Sequence, residues 1–117
     1  MAFKFEGLRV WQHAVELSGE VCELTEKFPK KEMFVLTSQI QRASDSIALN
    51  IAEGSTGQTN PEFRRFLSFA LRSAIEVVSC LHLAKRRRLI NQDQFDHFYQ
   101  LLTDLVKSIQ ALKNSIK

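Results

Sequence analysis

The sequence is short of almost everything that interrupts a helix. Its 117 residues include two prolines and four glycines. They fall singly, so no Pro- or Gly-rich linker divides the chain, and one domain spanning residues 1–117 is expected. Low-complexity tracts and short-period repeats are also missing, which sets aside fibrous and solenoid architectures. Two cysteines are too few for a disulfide framework. Cys22 and Cys80 lie among apolar neighbours on different predicted helices and read as reduced core thiols. The start, Met1-Ala2-Phe3-Lys4-Phe5, leads directly into charged sequence. No apolar run is long enough for a signal h-region or a membrane span, so a cytosolic protein with no membrane partner is expected.

Patterns that carry chemistry are equally scarce. His13, His82 and His97 fall on three different predicted helices. None has a second ligand at helical metal-site spacing beyond the weak pair Asp93 and His97, which reads as a surface hydrogen bond. There is no nucleophile elbow, no phosphate-cradling glycine loop and no Cys-x-x-Cys. The expectation is a non-enzymatic protein with no catalytic residues, no cofactor, no metal and no small-molecule substrate.

What the sequence has is helical periodicity. Leu8, Trp11, Val15, Ser18 and Cys22 step along a first helix over about residues 8–28, which Pro29 stops. Gly19 inside it costs about 1 kcal/mol relative to alanine, which marks a close approach by another helix. A second helix, residues 32–53, carries Leu36, Ile40, Ala43, Ile47 and Ile51 on one face, with Gly54 supplying a left-handed closing residue. The polar segment from Ser55 to Thr59 is a mobile connection. A third helix, residues 60–87, begins with Thr59 and Glu62 at capping-box spacing, or with Asn60 as cap and Pro61 at the first position. Phe63, Phe66 or Leu67, Ala70, Ala74, Val77 or Val78 and Leu81 form its apolar face. A fourth, residues 92–115, starts at Asn91 with Gln94 three residues on. Its seam of Phe95, Phe98, Leu102, Leu105, Ile109, Leu112 and Ile116 is a heptad repeat. Trp11, Phe28, Phe34, Phe63 and Phe66 read as core. The fold class is therefore all-α, an antiparallel up-down-up-down four-helix bundle. Leu71, Ile75, Leu83, Leu101 and Val106 widen the apolar faces beyond one bundle's needs, which predicts a homo-oligomer.

Two polar features remain. Gln39, Arg42, Ser46, Asn50 and Glu53 form a stripe beside the apolar face of the second helix. It reads as a structural hydrogen-bonded network, with Arg42 paired to a carboxylate and Glu53 holding the Gly54 turn; the functional alternative is a ligand or nucleic-acid surface. The charge is also uneven. Up to Asn60 there are six basic and eight acidic residues, and from Pro61 onward ten basic and five acidic. Lys85, Arg86, Arg87 and Arg88 exceed what a helix C-terminus rewards. With Arg64, Arg65 and Arg72 they form a candidate strip for the phosphates of RNA or DNA, which oligomerisation would multiply. No aromatic interleaves the run as a single-strand stacking platform would require.

Phe5 to Ala14, Phe28-Pro29 to Glu32, Leu36 to Ile40 with Arg42-Ala43, and above all Ser46-Ile47-Ala48-Leu49-Asn50-Ile51-Ala52-Glu53-Gly54 resemble a known family. They are similar to the bacterial four-helix-bundle proteins encoded in intervening sequences of 23S ribosomal RNA genes. The resemblance runs over nearly the whole chain; Arg72 stands where the family usually has glycine before Ser73. It implies an antiparallel bundle assembled into a homopentameric ring. The accessory protein of diversity-generating retroelements is related in fold and binds nucleic acid through a basic surface. The expected function is an oligomeric bundle that binds RNA or DNA weakly through phosphates. The alternative is an oligomeric scaffold with a protein partner and no nucleic-acid role.

Overall fold

The computed structural model describes residues 2–57 and 59–117. Met1 lies outside the described residues, as does Gln58 in the expected second connection. Helix α1 (Arg9–Thr25), α2 (Ser38–Ser55), α3 (Asn60–Arg86) and α4 (Gln92–Ser115) make up the fold, and no strand occurs among the described residues. A 3-10 turn, Lys4–Gly7, precedes α1. A second, Lys30–Glu32, runs into a π-helical turn, Met33–Thr37, that delivers the chain to α2. The second helical segment therefore starts in wider-than-α geometry rather than as one helix from residue 32.

Side-chain pairs fix the directions. Ser18 bonds to Asp45 and Gln41 to Thr25, so α1 and α2 run antiparallel. Gln39 reaches Glu76 while Ser46 meets Ser73, which reverses α3 against α2. Arg64 reaches Lys113 and His82 packs on Phe95, which reverses α4 against α3. Each helix packs on the next and α4 closes on α1, with α2 and α3 in the most intimate contact. The result is a rod of 43 × 22 × 22 Å.

The ends follow local chemistry. Thr59 Oγ1 accepts from the Glu62 amide at 3.2 Å, so Thr59 rather than Asn60 caps α3, with Pro61 in the first turn. Asn91 and Gln94 satisfy each other's amides at 2.8 Å in a full capping box. The core contains the expected faces of α2, α3 and α4, including fully buried Ile40, Ile47, Ile51, Leu67, Leu102 and Ile109. Truncating such a side chain to alanine removes about 2–5 kcal/mol.

Helix α1 departs from expectation. Its buried apolar residues are Val10, Ala14, Leu17, Val21 and Leu24, whereas Val15 and Cys22 are exposed and Trp11 is half-buried, edge-on to Phe5. Two apolar stripes run side by side on this helix, and the one through Ala14, Leu17 and Val21 faces inward. Phe34 is likewise not core but 89% exposed. Gly19 is exposed and meets no other helix. No glycine has positive φ. Gly54 lies inside α2, and a Cβ there would stand 2.5 Å from the Cβ of Phe66. Close approach of α3, not a left-handed turn, requires glycine.

Helix α3 also overturns the expectation about apolar runs. It contains an 18-residue stretch of mean hydropathy 1.5, long and apolar enough by composition to cross a membrane, of which only 33% is buried. Its outer side carries exposed Ile75 and Leu83 with half-buried Leu71 and Val78.

Candidate nucleic-acid interface

The basic run at the end of α3 is held in a defined shape. Arg88 has φ 61°, the one left-handed non-glycine among the described residues. The Leu89 amide reaches back to Ala84 O at 2.9 Å and the Arg88 amide to Lys85 O at 3.0 Å. These two bonds are a Schellman closure, normally built around glycine. Arg87 donates from Nη1 to Glu32 Oε1 at 3.0 Å, across 55 residues of sequence. Glu32 belongs to the turn Lys30–Glu32, so this pair sets exposed Lys30 and Lys31 beside exposed Lys85, Arg86 and Arg88. Lys85 Nζ lies 4.8 Å from the Phe95 ring centroid, a cation–π contact that positions the ammonium without neutralising it.

The cations expected farther along α3 divide. Half-buried Arg64 donates to Lys113 O at 2.5 Å and Ile116 O at 2.9 Å. It adds to the capping of the last carbonyls at the end of α4, where Lys113 O also accepts from the Ile116 amide at 3.2 Å. Arg65 sits 5.5 Å over Phe69 and is exposed, as is Arg72. The strip is thus split: Arg64 and Arg87 hold the fold, while Arg65, Arg72, Lys85, Arg86 and Arg88 face solvent with no carboxylate partner among the described residues. Lys30 and Lys31 join them through the fold; the expected set omitted them because 54 residues separate Lys31 from Lys85 in the chain.

On α2 the polar stripe is only partly connected. Asn50 Nδ2 donates to Ser46 O at 2.8 Å and Ser46 Oγ at 2.9 Å, and Ser73 Oγ bonds to the same hydroxyl at 2.9 Å. Gln39 bonds to Glu76. Arg42 and Glu53 are exposed, and neither side chain has a hydrogen-bond partner among the described residues. The expected Arg42–carboxylate pair is therefore not made. What holds the end of α2 is the Glu53 carbonyl, which accepts from Thr56.

The remaining reactive groups lie apart. His97 Nε2 is 2.8 Å from Glu20 Oε1, not paired with Asp93. Among the described residues no three His, Cys, Asp or Glu side chains are arranged to hold a metal ion. Cys80 is buried; burial, reinforced by the Glu76 carboxylate and opposed by Arg87, pushes its thiol above the ordinary value of 9.0. Cys22 is exposed, which corrects the reading of both cysteines as core.

The family model for the 23S rRNA-intervening sequence protein matches residues 6–111. The chain belongs to that family. The structure is similar to the 1.70 Å crystal structure of a protein of unknown function from the S23 ribosomal protein family of Bacteroides thetaiotaomicron, with a TM-score of 0.84 and 25% identity. The similarity covers 90% of this chain and 95% of that one. No curated protein matches. In this intervening-sequence family member the Ser46–Gly54 motif thus has a local structural account. Ser46 and Asn50 bond to each other, Ile47 and Ile51 fill the core, and Gly54 admits Phe66.

Proposed function

We propose that the protein is a non-enzymatic homo-oligomer, acting in the cytosol, that binds RNA or DNA weakly through phosphate contacts at the basic end of each bundle. The observation that carries the reading is Arg87–Glu32. This bond ties the turn carrying exposed Lys30 and Lys31 to the helix end carrying exposed Lys85, Arg86 and Arg88. Like charges packed together repel, and phosphate oxygens relieve that repulsion while releasing counterions.

Assembly is supported by two unlike apolar faces. Trp11, Val15, Ala48 and Leu49 line a groove between α1 and α2. Leu71, Ile75 and Val78 share a face of α3 on the side where His82 meets Phe95, and Phe95 stacks on Tyr99 of α4. In the order α1–α2–α3–α4 around the bundle, these faces lie on opposite sides. Unlike faces on opposite sides associate head to tail, and a head-to-tail contact closes into a ring when its rotation divides a full turn. Five subunits is the number that family resemblance implies.

The test combines native mass measurement with binding titrations against structured RNA, single-stranded RNA and duplex DNA. A closed oligomer whose affinity falls steeply with salt is expected. A monomer, or binding indifferent to salt, would reject the proposal. Recovery of a protein partner that nuclease does not release would favour a scaffold instead.

A further inference from the structure

The cross-helix bonds set a common ruler along the rod. Ser18 meets Asp45 and Ser46 meets Ser73, so these stretches of α1, α2 and α3 share one level. Antiparallel counting from Ser46 and Ser73 then sets Leu49 level with Ala70, beside Leu71. Glu53 falls level with Phe66, beside Arg65, and Asp45 falls level with Ala74, about 3 Å along the axis from Arg72. Asp45 is exposed and lines the groove with Trp11, Val15 and Leu49. Its Oδ1 accepts from Ser18, while no cation pairs with it among the described residues, Arg42 one turn away on α2 included. On the opposite side of the bundle, Ile75 is 64% exposed. Exposed Arg72 stands beside it, with no carboxylate partner among the described residues.

We propose that Asp45 of one subunit pairs with Arg72 of the next, with Glu53 and Arg65 as a second pair at the rim. Leu49 and Val15 then close over Leu71 and Ile75 of the neighbour. The proposal rests on the oligomer reading and names the charges that specify its contact. Asp45 and Glu53 are eight residues apart, about 12 Å on a helix; Arg65 and Arg72 are seven apart, about 10.5 Å. Both pairs run the same way along the rod, so acids and bases match in order and spacing on either side of the apolar centre. Farther toward the basic end each face carries one charge of the other sign, Arg42 on the first and Asp96 of α4 on the second. Because the matching residues share levels, the operation that joins them is a rotation without a rise, the condition for closing a ring rather than extending a filament. This use of Arg65 and Arg72 also removes them from the phosphate-binding set.

The experiment follows native mass against concentration for the full chain. Asp45→Arg and Arg72→Asp each set like charges against each other across the contact and should weaken assembly by about 10-fold or more. Both changes in one chain restore opposite signs and should recover most of that loss. Mixing the two single variants should also recover association, because each supplies the face that the other lacks. Mixing cannot repair a misfolded subunit, so the rescue separates a lost contact from the loss of the Ser18–Asp45 bond. Wild-type mass retained by both single variants overturns the pair and leaves the oligomer standing. Single variants that dissociate, yet are rescued neither by the double change nor by mixing, overturn it as well. A monomeric wild type removes both the pair and the assembly on which it rests.

Discussion

At the scale of single residues, side chains of one chemical type do different jobs according to what they touch. Arg64 resembles its neighbour Arg65 in sequence, yet it closes α4 by two carbonyl bonds. Arg64→Ala should cost about 1.5–3 kcal/mol, the range for hydrogen bonds to charged groups, and leave the salt dependence of nucleic-acid binding unchanged; thermal melts and titrations check the two halves. Arg88 does the reverse. A non-glycine residue in left-handed geometry is held there at about 1–2 kcal/mol, so Arg88→Gly should raise stability by up to about 1 kcal/mol while removing a solvent-facing cation. Gly54→Ala would drive a methyl into Phe66; overpacking of this kind costs about 1–3 kcal/mol, read as a lowered denaturant midpoint. The two thiols should separate under alkylation. Cys22, exposed, should react with iodoacetamide in the native protein, and Cys80, buried with its thiol pushed up, should not. Because the folded Cys80 holds its proton to higher pH than the unfolded chain does, its contribution to stability declines as pH rises above the ordinary thiol value. Equal labelling of both would contradict this placement.

At the scale of elements, periodicity was a good guide wherever one apolar stripe dominated. The seam of α4 from Phe95 to Ile109 and the face of α2 are buried as their spacing requires, Leu112 and Ile116 being only partly so, and both caps, Thr59 and Asn91, act as their sequences suggest. Helix α1 misled for a physical reason. Trp11, Val15 and Cys22 mark one face, but the buried residues are Ala14, Leu17 and Val21, one step around. Periodicity states that a stripe exists; it does not state which of two adjacent stripes another helix selects. Phe34 was misread similarly, since an α-helical step from Leu36 does not anticipate a π turn. The candidate cations were legible as residues, but their division was not: that depends on Glu32 meeting Arg87, a contact between distant segments. The surplus stripe of α1 carries its own prediction. Val15→Glu together with Leu49→Glu should dissociate the proposed oligomer while leaving the helical circular-dichroism signal intact, and light scattering would register the change. A double variant that keeps the wild-type mass would move the subunit contact elsewhere.

At the scale of the whole molecule, charge is sorted by region. The grooves between α1 and α4 are lined by Glu16, Glu20, Glu23, Asp93 and Asp104 with His13 and His97. That side repels phosphate. Meanwhile the bundle end carries cations from the α1–α2 connection and from the close of α3. The proposed ring would repeat the basic end once per subunit, so that contacts too weak singly act together. The most direct test of this account is the salt dependence of single-stranded RNA binding by the intact protein. The account predicts a straight decline of log affinity against log salt, with a slope of about −2 or steeper, as expected for three or more phosphates neutralised at about 0.7 each. A flat line, or no binding at low salt, would contradict it.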